Sequence, residues 1–524
     1  MQQYKVPTPS ASEPFSKGAF MERNLKIYFT SDIHGYFSAM DYASGEAQNT
    51  GLATCMSAFC KDGNTLIIDG GDTIQGSPFT YWMYNKPMTG SCVPAQIMNL
   101  AGYDFVTLGN HDFNYGKEAI EEYLDVSHAS CLCANVDGIR GVTKTAIVTL
   151  ENGLRVGLTG ITSHFVNLWE RPENMTGIVV TDAFTAAKSA LEELKGADVD
   201  ITVCIYHGGF ENDVHTGDIL SNTGENQGYQ ICKELDYDIL LTGHQHQALE
   251  NLCLHGTYTC QTPDKGVKCI HMAVTVGSAG EIAATSKLIS GDAPASEMTA
   301  FLAPFEKENA IFLDTPVGFL DTALTPEDPL TMAKNGSLIA NFFNQVQLDA
   351  SGADISVTSL GNTVKGFDTQ ITIRDIVSTY VFPNTLKTVW VNRSILKTAL
   401  ERCAEYFAYG ADETLCISDS FLSPIVQHFN YDYFSGIEVT MDVTKEIGNR
   451  ITSIRYKGEE LADDIRLKLC MNNYRATGAG GYPIYTECDT VCEQPTEIAQ
   501  MIMDYVYTNK NITVDQTKWL TVLY

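Results

Sequence analysis

The chain has 524 residues, more than one hydrophobic core usually supports, and 44% of it is apolar, so two domains are expected, with room for a helical connector. Its 34 Lys and Arg against 64 Asp and Glu give a net charge of −30, which repels a polyanion and excludes a nucleic-acid polymer as partner. A small phosphate ester remains compatible with that charge where cations gather in a cleft, and metal ions gather there readily.

Residues 1–24 read as an extension that mixes Pro, Ser and charge, without an apolar run of signal-peptide length. No later run reaches the length of a membrane span, so a cytoplasmic protein with no membrane partner is expected. The fifteen cysteines are odd in number and scattered, which fits reduced thiols. Cys131 and Cys133, in SCLCANV, have no second pair at zinc spacing and read as buried strand thiols rather than a metal site.

From Leu25 to about residue 290, short apolar runs alternate with helical patterns, the sequence form of a layered α/β domain. LKIYFTSD, TLIIDGGD, FVTLGNHD, ITVCIYHGG and DILLTGHQH each read as a buried strand breaking into a polar loop. Between two of them, TDAFTAAKSALEELKG sets Phe184, Ala187, Leu191 and Leu194 on one helical stripe, with Thr181 or Asp182 as N-cap and Gly196 as stop. SGDAPASEMTAF marks a boundary, and residues 291–335 read as a connector. Over 336–524, the helical NGSLIANFFNQVQL, IRDIVSTYVF and RSILKTALERCAEYF mix with strand-like ADISVTS and LKTVWVN, which describes a second, α+β domain.

The loops after the five strands concentrate metal-ligand residue types: Asp32 and His34 in SDIHG, Asp72 in GGDT, Asn110 and His111 in GNHD, His207 in YHGG, and His244 and His246 in GHQH. Strand ends in such sheets direct their loops to one edge, so these residues can converge across more than 200 positions. Oxygen and imidazole donors with a shared carboxylate suit two hard-to-borderline cations. One Asp-x-His alone is more often a structural pair, but five such loops in this order are specific.

These motifs resemble the calcineurin-like metallophosphoesterases, in the branch that holds 5'-nucleotidases and 2',3'-cyclic-nucleotide 2'-phosphodiesterase/3'-nucleotidases. The resemblance runs from Leu25 to the C-terminus. It implies an N-terminal layered αββα catalytic domain over 25–290 and a C-terminal α+β 5'-nucleotidase-type domain. It also implies two divalent ions, with Mn, Zn, Fe and Co all suited to the donors. One ion would take Asp32, His34, Asp72 and His246, the other Asp72, Asn110, His207 and His244, with Asp72 as bridge. His111 would lie beside the scissile phosphate as hydrogen-bond or proton donor. Many 5'-nucleotidases carry an aspartate three positions after that histidine, and this chain has Asn114. Two readings stand: Asp112 supplies the charge, or none is needed.

In the second domain, YVFPNTLKTVWVN resembles the segment that offers an aromatic and an asparagine to the base, here Phe382 and Asn384, and NNYRATGAGGYP the segment with the second aromatic, Tyr474. Read without the resemblance, both rings are ordinary core aromatics. Gly478, Gly480 and Gly481 do not have phosphate-loop spacing and read as a tight turn. The aspartate that holds ribose in 5'-nucleotidases would fall at Gly480, and TSLGNTVKGF replaces their glycine-rich segment, leaving Asn362 and Lys365 as polar candidates. The departures favour the cyclic-phosphodiesterase branch.

The resemblance implies hydrolysis of small nucleotide phosphate esters by a metal-bound hydroxide, with no phosphoenzyme and a connector hinge between residues 290 and 340. A 5'-nucleotidase, a nucleotide-sugar hydrolase and a catalytically silent nucleotide-binding protein are the competing readings. The sequence specifies no oligomeric state.

Overall fold

The first expected strand extends over Arg23–Thr30, and its alternation sets the layers of the domain. Leu25, Ile27 and Phe29 enter a core shared with a second sheet, whereas Tyr28 packs on the opposite side among helices. The computed structural model describes residues 22–85, 92–221, 224–382, 384–409, 414–423 and 426–524. Of the extension expected over 1–24, residues 1–21 lie outside the described residues, and Arg23 and Asn24 already belong to the first strand.

The first sheet runs in the order Ile282–Ile289, Cys269–Val276, Arg23–Thr30, Thr65–Asp69, Phe105–Val106, Ser130–Leu132 and Val142–Thr143. The second runs Leu249–Leu254, Thr257–Gln261, Ile239–Thr242, Ile201–His207, Arg155–Thr162 and Thr145–Thr149. Ile27, Phe29 and Ile68 of the first share one buried core with Leu158, Val203, Ile205 and Leu241 of the second. Val93–Ala101 and Gly116–Val126 cover the outer face of the first sheet, and Ala183–Gly196 and Gly228–Glu234 that of the second. This is the expected αββα order.

Helix Ala183–Gly196 starts on Asp182, whose side chain accepts the Thr185 N–H, and it buries Ala187, Leu191 and Leu194. Phe184 on the same stripe is half-buried. Cys131 and Cys133 are buried free thiols. Thr65–Asp69 lies parallel to both Arg23–Thr30 and Phe105–Val106, as Ile201–His207 does to Ile239–Thr242. The loops that follow these five strands therefore open together at one edge of the sandwich.

Ser296–Leu313, inside the stretch expected as connector, is a helix docked on the first domain. Its Glu306 is buried and accepts the Tyr42 hydroxyl at 2.8 Å and that of Ser38. Pro316–Leu320 pairs instead with Gln370–Thr372 and Asn511–Ile512, so the chain passes between domains at residues 314 and 315. Arg374 spans that crossing, pairing with Asp314 and donating from Nη1 to the Tyr42 carbonyl at 2.8 Å.

The second domain centres on a sheet ordered Asp432–Ser435, Ile355–Ser359, Leu467–Asn472, Thr385–Val391 and Thr490–Glu497. Helices Leu338–Ser351 and Arg393–Ala404 begin on the caps Ser337 and Asn392, and Ile373–Thr379 begins on a capping box of Thr372 and Asp375. Among the described residues no helix is long and apolar enough to cross a membrane.

Candidate active site

Five of the eleven non-glycine residues with positive φ among those described are Asp32, His34, Asp72, His244 and His246. Left-handed backbone costs an ordinary side chain about 1–2 kcal/mol, and its concentration here marks loops whose geometry serves something other than stability. The strands end, the chain turns sharply, and the side chains are thrown inward.

Two clusters result. Asp32, His34 and His246 bring one donor atom each within 4.8 Å of one another, and Asp72, His207 and His244 do the same. Asp72 Oδ2 lies 3.1 Å from His207 Nε2 and 3.8 Å from His34 Nε2, so one carboxylate faces both groups. His246 Nε2 is 3.3 Å from Asp32 Oδ1, and Asn110 Oδ1 is 3.2 Å from His207 Nε2.

The second nitrogen of each ring fixes its direction. His34 Nδ1 meets the Gln75 carbonyl at 3.1 Å and His207 Nδ1 the Gly70 carbonyl at 2.7 Å, which turns both Nε2 atoms toward Asp72. His244 is reversed: its Nε2 meets Glu225 Oε1 at 2.9 Å, leaving Nδ1 for the cluster, and Trp169 stacks on its ring with centroids 5.4 Å apart. Glu225 and Trp169 carry no motif, and nothing in the sequence near them signals a role.

The buried carboxylates and imidazoles shift one another's proton affinities. Burial pushes the Asp32 carboxyl up, but the His246 hydrogen bond and the His207 charge outweigh it and hold it below the ordinary range. Burial acts the same way on Asp72, and His207, His111 and His34 outweigh it. Burial lowers His207 and His246, yet Asp72 lifts the first to about 10 and Asp32 the second to about 9. His34 Nε2 and His246 Nε2 face each other at 3.3 Å, a contact between two ring nitrogens that a shared cation would satisfy. Imidazole and carboxylate donors, with no thiolate among them, fit a pair of divalent metal ions.

Asp112 does not reach His111 as a charge partner. Its carboxylate accepts four backbone N–H groups, from Asp72, Thr73, Ile74 and Gly109, at 2.8–3.0 Å. It therefore clamps the loop of Asp72 to the loop of His111. The partner of His111 is Asn114, whose Oδ1 is 2.9 Å from Nδ1, and Asn114 in turn donates from Nδ2 to Glu170. The His111 N–H donates to Asp72 Oδ1 at 2.7 Å, and its ring centroid is 5.2 Å from that of His34.

Phe382 is half-buried and lines an interdomain cavity of about 60 Å³ with Tyr36, Gln75 and Lys265 of the first domain and Glu497 of the second. Gln75 is the residue whose carbonyl holds His34. Phe429, which sequence reasoning passed over, meets Phe382 edge-on at 6.4 Å. Tyr474 is 41% exposed, and among the described residues no ring contact joins it to Phe382. Their segments are tied by Asn473 Oδ1, which accepts the N–H groups of Thr385 and Tyr474. The Asn384 carbonyl accepts the Ile498 N–H.

Asn362 and Lys365 are engaged within the second domain. Asn362 holds the segment at 426–428 through the Val426 carbonyl and the His428 N–H, and Lys365 pairs with Asp375 at 3.1 Å. Gly478, Gly480 and Gly481 all have positive φ, as a tight turn requires. A Cβ at Gly480 would lie 2.2 Å from Arg475 Nη1 and 2.3 Å from Asn430 Oδ1, so the aspartate of 5'-nucleotidases has no space at this position. The obstructing Arg475 is fully buried and held by Asp432 Oδ1 at 2.8 and 3.0 Å.

Comparison with known proteins agrees with the two-part architecture. Residues 25–248 match the calcineurin-like phosphoesterase family, and residues 316–487 the 5'-nucleotidase C-terminal domain. The crystal structure of a putative 5'-nucleotidase from Staphylococcus aureus superposes with a TM-score of 0.68 at 30% identity, covering 96% of this chain and all of that one. The 2',3'-cyclic-nucleotide 2'-phosphodiesterase/3'-nucleotidase of Haemophilus influenzae is 23% identical over 566 residues, 92% of this chain and 84% of that protein. The trifunctional nucleotide phosphoesterase YfkN of Bacillus subtilis is 24% identical over 588 residues, and the matched region spans only 39% of its length. The chain belongs to the calcineurin-like phosphoesterases that carry a 5'-nucleotidase C-terminal domain, a family of metal-dependent phosphoric ester hydrolases.

Proposed function

We propose that the protein hydrolyses nucleotide phosphate esters at a dinuclear metal centre, as a 2',3'-cyclic-nucleotide 2'-phosphodiesterase and 3'-nucleotidase. The observation that carries this reading is Asp72, which faces both donor clusters at the edge where an interdomain cavity brings in Phe382. Asp32, His34, Asp72 and His246 would hold one ion, and Asp72, Asn110, His207 and His244 the other. When bound, such ions neutralise phosphate oxygens and lower the pKa of their water toward neutrality.

The remaining work falls to the chain. Asp112 keeps the Asp72 and His111 loops in register, so that the donor to phosphate and the bridging carboxylate move as one. With Nδ1 taken by Asn114, His111 has Nε2 available to donate toward the developing negative oxygen. Phe382 and Tyr474 would grip the base by stacking, which tolerates any nucleobase. The closed space at Gly480 favours the 2',3'-cyclic and 3'-esters over 5'-nucleotides, because the ribose-holding aspartate of the latter's enzymes has no room.

A panel of 2',3'-cyclic, 3'- and 5'-nucleotides, assayed under one divalent metal, tests the reading. Faster turnover of the cyclic and 3'-substrates is expected, and a preference for 5'-nucleotides would overturn the assignment to this branch.

A further inference from the structure

The interdomain cavity joins two parts of the site. Phe382 stands on its wall, and so do Gln75 and Lys265, whose main chains are bonded to the donor loops. The Gln75 carbonyl meets His34 Nδ1 at 3.1 Å, and the Lys265 N–H donates to the Asp32 carbonyl at 2.8 Å. In a nucleotide the sugar lies between phosphate and base. With phosphate on the clusters and base on Phe382, the ribose therefore falls in this cavity.

The polar groups on its wall are left without partners. Gln75 is 3% exposed, and its Oε1 is buried with no hydrogen-bond partner among the described residues. An amide oxygen taken out of water and left unpaired costs stability, so a buried one calls for a partner that the folded chain does not supply. Close packing keeps the residue in place: a Cβ at the following Gly76, whose φ is 129°, would lie 2.7 Å from the His34 Cβ. Lys265 Nζ is 3.8 Å from Asp264 Oδ2, beyond hydrogen-bond reach, and Glu497 lines the same cavity. Donors and acceptors set in this way beside an aromatic ring suit a polyhydroxylated ligand, because a hydroxyl both donates and accepts.

We propose that Gln75 is a specificity-determining residue: its Oε1 accepts the proton of the ribose hydroxyl vicinal to the scissile ester, the 2'-hydroxyl of a 3'-nucleotide. Gln75 follows Asp72 in the same loop and is tied to His34, so its amide stands at the phosphate end of the cavity. The chain thereby holds the sugar from the first domain, since the second has no room for an aspartate at position 480. The inference rests on the 3'-ester reading given above.

Two measurements under Mn²⁺ test it. The first is the ratio of kcat/KM for adenosine 3'-monophosphate to that for its 2'-deoxy analogue, taken within each protein so that any general loss of activity cancels. The parent should favour the ribonucleotide by about ten- to a hundredfold, and Gln75→Met, which keeps the length without the amide, should bring the ratio to within about threefold of unity. The second needs no variant and compares inhibition of the parent by nucleosides. Adenosine should bind about tenfold more tightly than 2'-deoxyadenosine or 2'-deoxy-2'-fluoroadenosine, whose fluorine cannot donate. Equal inhibition by all three, a fluoro nucleoside as tight as adenosine, or the parental ratio kept in Gln75→Met overturns the inference while the preference for 3'-esters stands. A preference for 5'-nucleotides in the substrate panel overturns the reading on which it rests.

Discussion

The Asp112 carboxylate accepts the backbone N–H of Asp72 at 2.9 Å, at a residue whose φ of 54° no strand or helix would supply. Three further backbone N–H groups end on the same carboxylate, so the strained turn that presents Asp72 is held from behind rather than by its own conformational preference. Replacing Asp112 with Asn turns a donating NH2 toward backbone donors. Each buried N–H left without an acceptor costs about 1–3 kcal/mol. Asp112→Asn should therefore lower both melting temperature and metal content, as followed by calorimetry and elemental analysis. An unaltered metal content would show that the clamp does not hold the site.

Chelation should abolish activity, and Asp72→Ala should do more damage than His34→Ala. Asp72 faces both donor clusters, whereas His34 belongs to one. Metal content per chain separates the cases: loss of both ions for Asp72→Ala, and retention of at least one for His34→Ala.

Phe382→Ala and Tyr474→Ala should weaken nucleotide binding by about one to two powers of ten, since stacking of a base on a ring is worth about 1–3 kcal/mol. Turnover of a small aryl phosphate, which has no base, should change far less. Equal damage to both substrates would make these rings packing residues.

Gly480→Asp restores the residue of 5'-nucleotidases but meets the Arg475 guanidinium and Asn430 in a left-handed backbone. Overpacking and backbone strain together should cost about 2–4 kcal/mol of stability. No gain in 5'-nucleotide turnover should accompany it, and thermal melting with a 5'-nucleotide assay reads both outcomes.

The sheets and the donor loops were legible because a strand that runs apolar and then breaks at Gly-Asn-His or Gly-His-Gln-His leaves few uses for its polar end. Periodicity likewise gave Ala183–Gly196 with its Asp182 cap. Glu225, Trp169 and Glu170 were not legible, because their contacts with His244 and Asn114 form only in the folded chain and each lies in a stretch without period or motif. The place of Asp112 beside His111 leaves open in the sequence whether it supplies a charge there or none is needed, and in the fold its carboxylate is taken up by main-chain groups about forty residues earlier as well as by Gly109. Within the stretch 291–335, the helix Ser296–Leu313 docks through a buried glutamate, a contact that its polar, Pro-containing start does not signal.

The left-handed turns at Asp32, His34, Asp72, His244 and His246 restrict the amino-acid alphabet before any metal arrives. Among residues with a side chain, Asp, Asn and His enter that backbone region most readily, and β-branched residues scarcely do. The turns thus admit short carboxylates, amides and imidazoles, the donors that hard and borderline cations prefer. A drifting sequence would lose the fold of these loops before it could recruit a different class of ligand. The match of these donors to hard and borderline cations is in this sense inherited from where three strands stop.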